Sequence, residues 1–326
     1  MNERILNVIQ SLHNNRRRSY ARRLLSHCNH ALRNLDYFFK SREVDPRLTE
    51  GDVACVMCTN GEEDMVSLAM ESSKAFVSRY IVVDKDGSTI PTIEACRGRW
   101  DLDMETHVRP DLDLRESRAF ALTRIDEPWI LVQDGDEVFH TDGPNSISGL
   151  RRYMNRPHVY FTSPKNRLVG DFQHTAPSVP QQGPHRFLFH NNGTVRAPDS
   201  PADIPVMRGW RIALTEPYIF NCLVKKPRRV YIKQFWREWN KETGYHHEYP
   251  SIEAYIVEKL GIDMDAEVEE WYRVFMANLI SYDEGRWGYY PEIIRREIKR
   301  TAEKPGAAEI ETMQDQPLPP YPQVAD

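Results

Sequence analysis

Asp134, Asp136 and Glu137 crowd into four positions at the end of the apolar run WILVQDGDEVF, and Asp84 and Asp86 close a second such run, YIVVDKDGST. Carboxylates placed together are hard oxygen donors suited to a divalent cation, Mg²⁺ or Mn²⁺, and that cation suits a substrate diphosphate. Asp84 and Asp86 suit a different task, accepting hydrogen bonds from ribose hydroxyls or from a base N–H. Both clusters also admit a structural reading, in which the aspartates cap turns and face water.

The position of these residues depends on the elements that carry them. VACVM, YIVVD and WILVQ have the β-rich, apolar character of strands, while EEDMVSLAMESSKAF and RESRAFALTRI are spaced as helices and TIPTIEAC as a short helix or turn. Strands alternating with helices imply a largely parallel sheet with helices on its faces, and such open sheets bind ligands at the carboxyl ends of their strands. The acidic clusters fall at those ends. Beyond residue 140 the pattern weakens to a helix over 146–155, a strand at HVYFT, and a Pro-, Gly- and Asn-rich stretch over about 164–209, interrupted by the apolar patch HRFLFH, that reads as a long loop of a binding site or lid. Helical spacing resumes near residue 232, in SIEAYIVEKL and VEEWYRVFMANLI. This divides the chain into a basic helical extension (1–50), an α/β domain (51–231, halves meeting at 140/141), a helical region (232–301) and a Pro-rich tail (302–326).

Composition narrows the classes. With 40% hydrophobic and 28% charged residues, the chain matches an ordinary soluble protein. No apolar stretch approaches a membrane span, and the N-terminal Arg cluster is misplaced for a secretory signal, so a cytoplasmic location is expected. Residues 1–50 hold ten basic against five acidic side chains, +5 within a net −5. That asymmetry admits peripheral contact with an anionic membrane but more simply marks a solvated helix face, and it does not point to nucleic acid. Five cysteines argue against a disulfide framework. Cys55 and Cys58 have CxxC spacing, but residues three apart on a strand face opposite ways; His27, Cys28 and His30 make at most two helical ligands. The aromatic residues Trp236, Trp239, Trp271, Tyr272, Trp287, Tyr289 and Tyr290 read as core more readily than as a sugar platform.

Taken together, VACVMCTNGEEDMV, YIVVDKDGST, RESRAFAL and EPWILVQDGDEVF resemble the nucleotide-binding half of GT-A glycosyltransferases of the family 2 type. The likeness covers about residues 51–140. It implies a GT-A, Rossmann-like mixed sheet, mostly parallel and flanked by helices, and a metal-dependent transfer of a sugar from a nucleotide diphosphate donor, a UDP- or GDP-sugar, to a glycan, protein or lipid-linked acceptor. Thr59, Asn60, Asp84, Asp86, Arg118 and Asp134 fall at the donor-binding positions, and Asp134 with Asp136 at the metal position for Mn²⁺ or Mg²⁺. Ala119 and Asn221 stand where many relatives have Asn and His, which leaves His185 and His190 as candidates for a third ligand. The family mostly inverts the anomeric centre with a carboxylate base, for which Asp171 and Glu216 are the candidates. Arg186 and the cluster Lys225, Lys226, Arg228 and Arg229 could meet phosphate oxygens or simply face water.

Two rivals remain. IVVDKDGST also resembles the first motif of haloacid-dehalogenase-type phosphatases, with Asp84 as nucleophile, although the motif sits too late in the chain and no GDxxxD follows. A non-catalytic GT-A-like binding module has little physical reason to keep both DxD carboxylates together. A dinucleotide-binding enzyme is disfavoured by the absence of GxGxxG after a strand.

Overall fold

The computed structural model describes residues 39–143, 145–178, 180–197, 205–224, 226–235, 239, 249 and 251–303. The expected helices over 3–38, the His27, Cys28 and His30 group, Lys225, Trp236 and tail residues 304–326 lie outside the described residues.

Strands and helices alternate as β1 (Val53–Thr59), α1 (Val66–Ser73), β2 (Arg79–Asp84), α2 (Ile90–Trp100), β3 (Asp103–Val108), α3 (Leu114–Leu122) and β4 (Trp129–Asp134). β1 is buried along its whole length because both of its faces are covered. Cys55 and Met57 pack with Ala69 and Met70 of α1 and Ile93 of α2, whereas Ala54, Val56 and Cys58 pack with Ala121 of α3 on the other side. Cys55 and Cys58 therefore face opposite cores, and the four described cysteines are free and buried. TIPTIEAC is part of an eleven-residue helix, longer than its sequence suggests.

The sheet continues with β5 (Glu137–Phe139), β6 (Val159–Val169), β8 (Gln181–His190), β9 (Trp210–Ala213) and β10 (Ile219–Leu223); a separate short strand, β7 (His174–Thr175), pairs with β11 (Ile280–Ser281). The order is β3-β2-β1-β4-β8-β6-β10-β5, with β9 beside β6. Five of the eight pairings are parallel, so this is a mixed, mostly parallel Rossmann-like sheet with helices on its faces, the GT-A class that the resemblance implies.

The long loop expected over 164–209 is corrected. Much of it is β6 and β8, antiparallel partners in the middle of the sheet. The register shifts between Ser163 and Lys165, where Pro164 lies and where Gly183 and Pro184 stand opposite, so the imino nitrogens occupy an irregularity rather than a regular rung of the ladder. The helix expected at 146–155 is a 3-10 turn over Ser148–Tyr153.

The longer C-terminal helices are α4 (Pro227–Gln234), α5 (Met264–Ala277) and α6 (Glu292–Ala302), and the expected helix in SIEAYIVEKL is an α turn over Ile252–Ala254 continued by a π-helical turn over Tyr255–Lys259. Their aromatic residues serve mainly as packing. Trp271 meets Tyr231 edge-on at 5.2 Å, and Tyr282, Trp287 and Tyr290 gather against Phe220 of the sheet. Tyr289, 68% exposed, is the exception. Among the described residues no helix is long and apolar enough to cross a membrane.

Candidate active site

β1, β2 and β4 run parallel in a register that sets Thr59 beside Asp84 and Cys58 beside Asp134, so all three strands end at one edge. Asp84 turns inward there. Fully buried, its Oδ2 accepts from the Thr89 N–H (2.9 Å) and hydroxyl (2.7 Å), and its Oδ1 from the Asp86 N–H (3.3 Å). The Thr89 hydroxyl continues to Thr59 at 2.9 Å. Asp84 and Thr59 thus fix the turn into α2, and the accessible carboxylate of this strand end is Asp86 rather than Asp84. Burial raises the Asp86 carboxyl, but Ser88 and Arg229 outweigh it and hold the group below its usual value. Asn60 is exposed, its N–H donated to Glu62. Gly135 is required for close approach, since a Cβ there would stand 2.8 Å from Thr59 Cγ2.

The three acidic residues after β4 do not converge. Asp134 pairs with Arg118 of α3, a helix started by a capping box between Asp113 and Glu116. Burial acts to raise the Asp134 carboxyl, but Arg118, Lys165 and His185 together hold it below its usual value. Glu137, fully buried, turns back to accept from Lys165 Nζ at 2.8 Å and from the Asp134 N–H at 3.1 Å; burial pushes its carboxyl up to about 7 against the pull of Lys165. Asp136 accepts from the Asn221 amide at 2.7 Å, and its other oxygen lies 3.9 Å from Lys233 Nζ. Asn221 therefore orients the Asp136 carboxylate. Gln133, one residue earlier, anchors the strand by donating to the Ala69 and Glu137 carbonyls, both at 2.8 Å.

Helix α4 crosses this edge with its basic side chains toward the acids. Lys226 lies 3.5 Å from Glu63, Arg229 3.3 Å from Asp86, and Lys233 reaches Asp136. Gly61, at φ +73°, makes room for Arg229, whose Cζ would sit 2.8 Å from an added Cβ. Two of the residues read as a basic loop, Lys226 and Arg229, thus meet the strand ends, while Arg228 pairs with Asp265 instead. Lys165, Arg167 and Lys233 were not singled out by their sequence context; Lys165 and Arg167 fall in the stretch that reads as loop.

The remaining candidates separate. Asp171 follows β6 at the same edge, tethered by the Gly170 N–H to the Leu223 carbonyl, and its carboxylate meets His174 Nδ1 at 2.8 Å. Glu216 is exposed and precedes the opposite end of β10, away from Asn221 and Asp136. His185 lies beside the cluster, 3.6 Å from Glu137, and burial, reinforced by Lys165, pulls its pKa to about 3, so it is neutral at pH 7. His190 is paired with Trp129 at the far end of β4, too distant to complete a site at Asp136. Arg186 lies over the Tyr160 ring, 5.6 Å from its centroid.

Burial, then His158, depress the His190 pKa from 6.5 to about 4. A depressed histidine pKa means the unfolded chain binds the proton more readily, so this stability is present above pH 6.5 and is lost as pH falls toward 4. The expected result is that His190→Phe, which keeps a ring against Trp129, flattens the loss of urea stability between pH 7 and pH 4.5. An unchanged slope would contradict it.

Among the described residues no group of three or more His, Cys, Asp or Glu side chains is placed to hold a metal ion. Mg²⁺, however, is ordinarily bound by one or two carboxylates together with substrate phosphates, not by an all-protein cage. Asp134, with a side chain 29% exposed, is the carboxylate open to that lesser demand, while Asp136 is 6% exposed and turned to Asn221 and Lys233.

No protein-family model and no curated protein matches the chain. Among solved structures it is similar to S. aureus TarS residues 1–349, at 11% identity over 58% of this chain and 65% of that one, with a TM-score of 0.34. The same protein in complex with UDP-GlcNAc matches at 13% identity over 58% and 66%, also with a TM-score of 0.34. A CMP:2-keto-3-deoxy-manno-octonic acid synthetase complexed with CTP matches at 12% over 57% of this chain and 98% of that one, TM-score 0.29. The chain spans less than two thirds of the first of these. Likenesses this slight assign no activity to it.

Proposed function

We propose that the chain transfers a sugar from a nucleoside diphosphate donor, a UDP- or GDP-sugar, to an acceptor hydroxyl on a glycan, protein or lipid-linked substrate, as a GT-A enzyme of the family 2 type. The observation that carries this reading is one edge of the sheet that bears Asp86, Asp134 and Asp136, where basic side chains of α4 meet Asp86 and Asp136. Acids alone would suit a cation, and bases alone an anion. Both together suit a metal-associated diphosphate.

In this reading Asn60 and Asp86 face the nucleoside, while Thr59, Asp84 and Arg118 hold the strand ends in place. Asp134 and Asp136 would hold Mn²⁺ or Mg²⁺, which supplies countercharge to the departing diphosphate. Asp171, steadied by His174, takes the proton of the acceptor hydroxyl as its oxygen bonds to the anomeric carbon. The bond from that carbon to the diphosphate oxygen breaks, the electron pair leaves with the nucleoside diphosphate, and the anomeric centre inverts. Glu216 is set aside as base because of its distance along β10 from this edge. The phosphatase alternative is disfavoured because Asp84 is buried with both oxygens engaged.

The test is nucleoside diphosphate release from UDP- and GDP-sugars by the wild type and by Asp171→Asn. Asp171→Asn is expected to lower kcat by about 10²-fold with the donor KM little changed. Equal turnover would remove Asp171 from the base's role.

A further inference from the structure

We infer that Gln133 is a positioning residue: its buried amide clasps the acidic turn 134–137 from behind and so fixes Asp136 relative to Asp134; this rests on the transferase reading. The turn carries the chain from β4 into β5, so Asp134 closes one strand and Asp136 stands just before the other. β5 is three residues long and lies at the end of the sheet, with β10 its only strand partner among the described residues. On that side the Asp136 carbonyl accepts from the Cys222 N–H at 2.7 Å. The other side has no strand, and side chains stand in for one. Gln133 Nε2 donates to the Glu137 carbonyl at 2.8 Å, and the Phe139 N–H donates to Ser72 Oγ at 3.0 Å.

The amide is itself held in place. Its Nε2 also donates to the Ala69 carbonyl of α1 at 2.8 Å, while its Oε1 accepts from the Ser73 hydroxyl at 2.7 Å. Gln133 and Ser73 are wholly buried and Ser72 nearly so. Packing of β4 against α1 needs only an apolar side chain of this size, since burying an amide costs free energy that its hydrogen bonds merely recover. A fully satisfied buried network contributes instead a single geometry, and here that geometry is the turn between the two DxD carboxylates. Groups that orient metal-binding side chains without touching the ion commonly change its affinity by about 10- to 100-fold when lost. Tyr80 supplies a contrast. Its hydroxyl lies 2.9 Å from Ser73 Oγ and 3.2 Å from the Met70 carbonyl, in the same buried layer but without a bond to the turn.

The test compares wild type, Gln133→Met, Ser72→Ala and Tyr80→Phe as full chains. Each variant loses buried hydrogen bonds and should melt earlier than wild type. Calorimetric titration with UDP and with GDP at graded Mn²⁺ should show the half-saturating Mn²⁺ concentration raised about tenfold or more in Gln133→Met, raised less in Ser72→Ala, and unchanged in Tyr80→Phe. Amide hydrogen exchange, without nucleotide or metal, should quicken over residues 134–139 in the first two variants and not in the third. If Gln133→Met does not fold, Ser72→Ala carries both readings. Wild-type Mn²⁺ dependence in the folded turn variants, or an equal shift in Tyr80→Phe, overturns the positioning role and leaves the transferase reading standing. If wild type binds neither nucleotide at any Mn²⁺ concentration, the transferase reading falls; quickened exchange over 134–139 then still supports the clasp, and unchanged exchange overturns it too.

Discussion

Asp136→Asn should lower sugar transfer by about 10²–10³-fold while leaving the fold intact, the scale seen when one essential electrostatic group is lost. The substitution keeps size and shape, and the new side-chain carbonyl can still accept from the Asn221 amide that now donates to Asp136 at 2.7 Å. The backbone bond from the Cys222 N–H to the Asp136 carbonyl is untouched. What disappears is the negative charge shared by Arg167, Lys233 and the proposed metal. Melting temperature and kinetics measured on one preparation separate the two effects. Near-normal transfer would show that Asp136 orients the turn and nothing more.

Lys165→Met should be among the most destabilising single changes, costing about 3–5 kcal/mol in urea unfolding, because it leaves a buried carboxylate without its partner. Lys165 is 7% exposed and Glu137 not at all. Burial works against both charged forms, and each group's ionisation depends on the other: Glu137 raises the Lys165 pKa despite the burial that lowers it. Combining Lys165→Met with Glu137→Gln should recover part of the loss, since no unpaired charge then remains. A single variant as stable as wild type would mean that the pair contributes nothing to the architecture of the DxD turn.

The half of the sheet built from β1, β2 and β4 was legible in the sequence because buried parallel strands are written as short, continuous apolar runs. VACVM, YIVVD and WILVQ are strands where the pattern puts them, and the fold class follows. β3 was not legible, since this edge strand, DMETHV, buries only Met104 fully and carries charge elsewhere. The start of β6 was legible as HVYFT and the end of β8 as the apolar patch HRFLFH, but the rest of both was hidden by Pro164, Gly183 and Pro184, which look like loop residues until the register shift that accommodates them is seen. The acidic strand ends were found from residue type and position. Their partners were not, because Arg167 and Lys233 approach Asp136 from elements far away in sequence, and no local pattern records such a meeting. Asp84 shows the converse limit. Its motif reads as a ligand contact, yet in the folded chain its oxygens cap the following turn.

The most direct measurement of the central claim is a thermal-shift comparison of UDP, GDP, CDP, ADP and dTDP, each with and without Mn²⁺ or Mg²⁺, on wild type and Asp136→Asn. A ligand that binds only the native state raises the melting temperature by mass action. A shift with one nucleotide, enhanced by metal in wild type and not in Asp136→Asn, is the expected result and would name the donor's base. No shift with any nucleotide, or a shift indifferent to both metal and Asp136, would contradict the assignment of this sheet edge as a nucleoside diphosphate site.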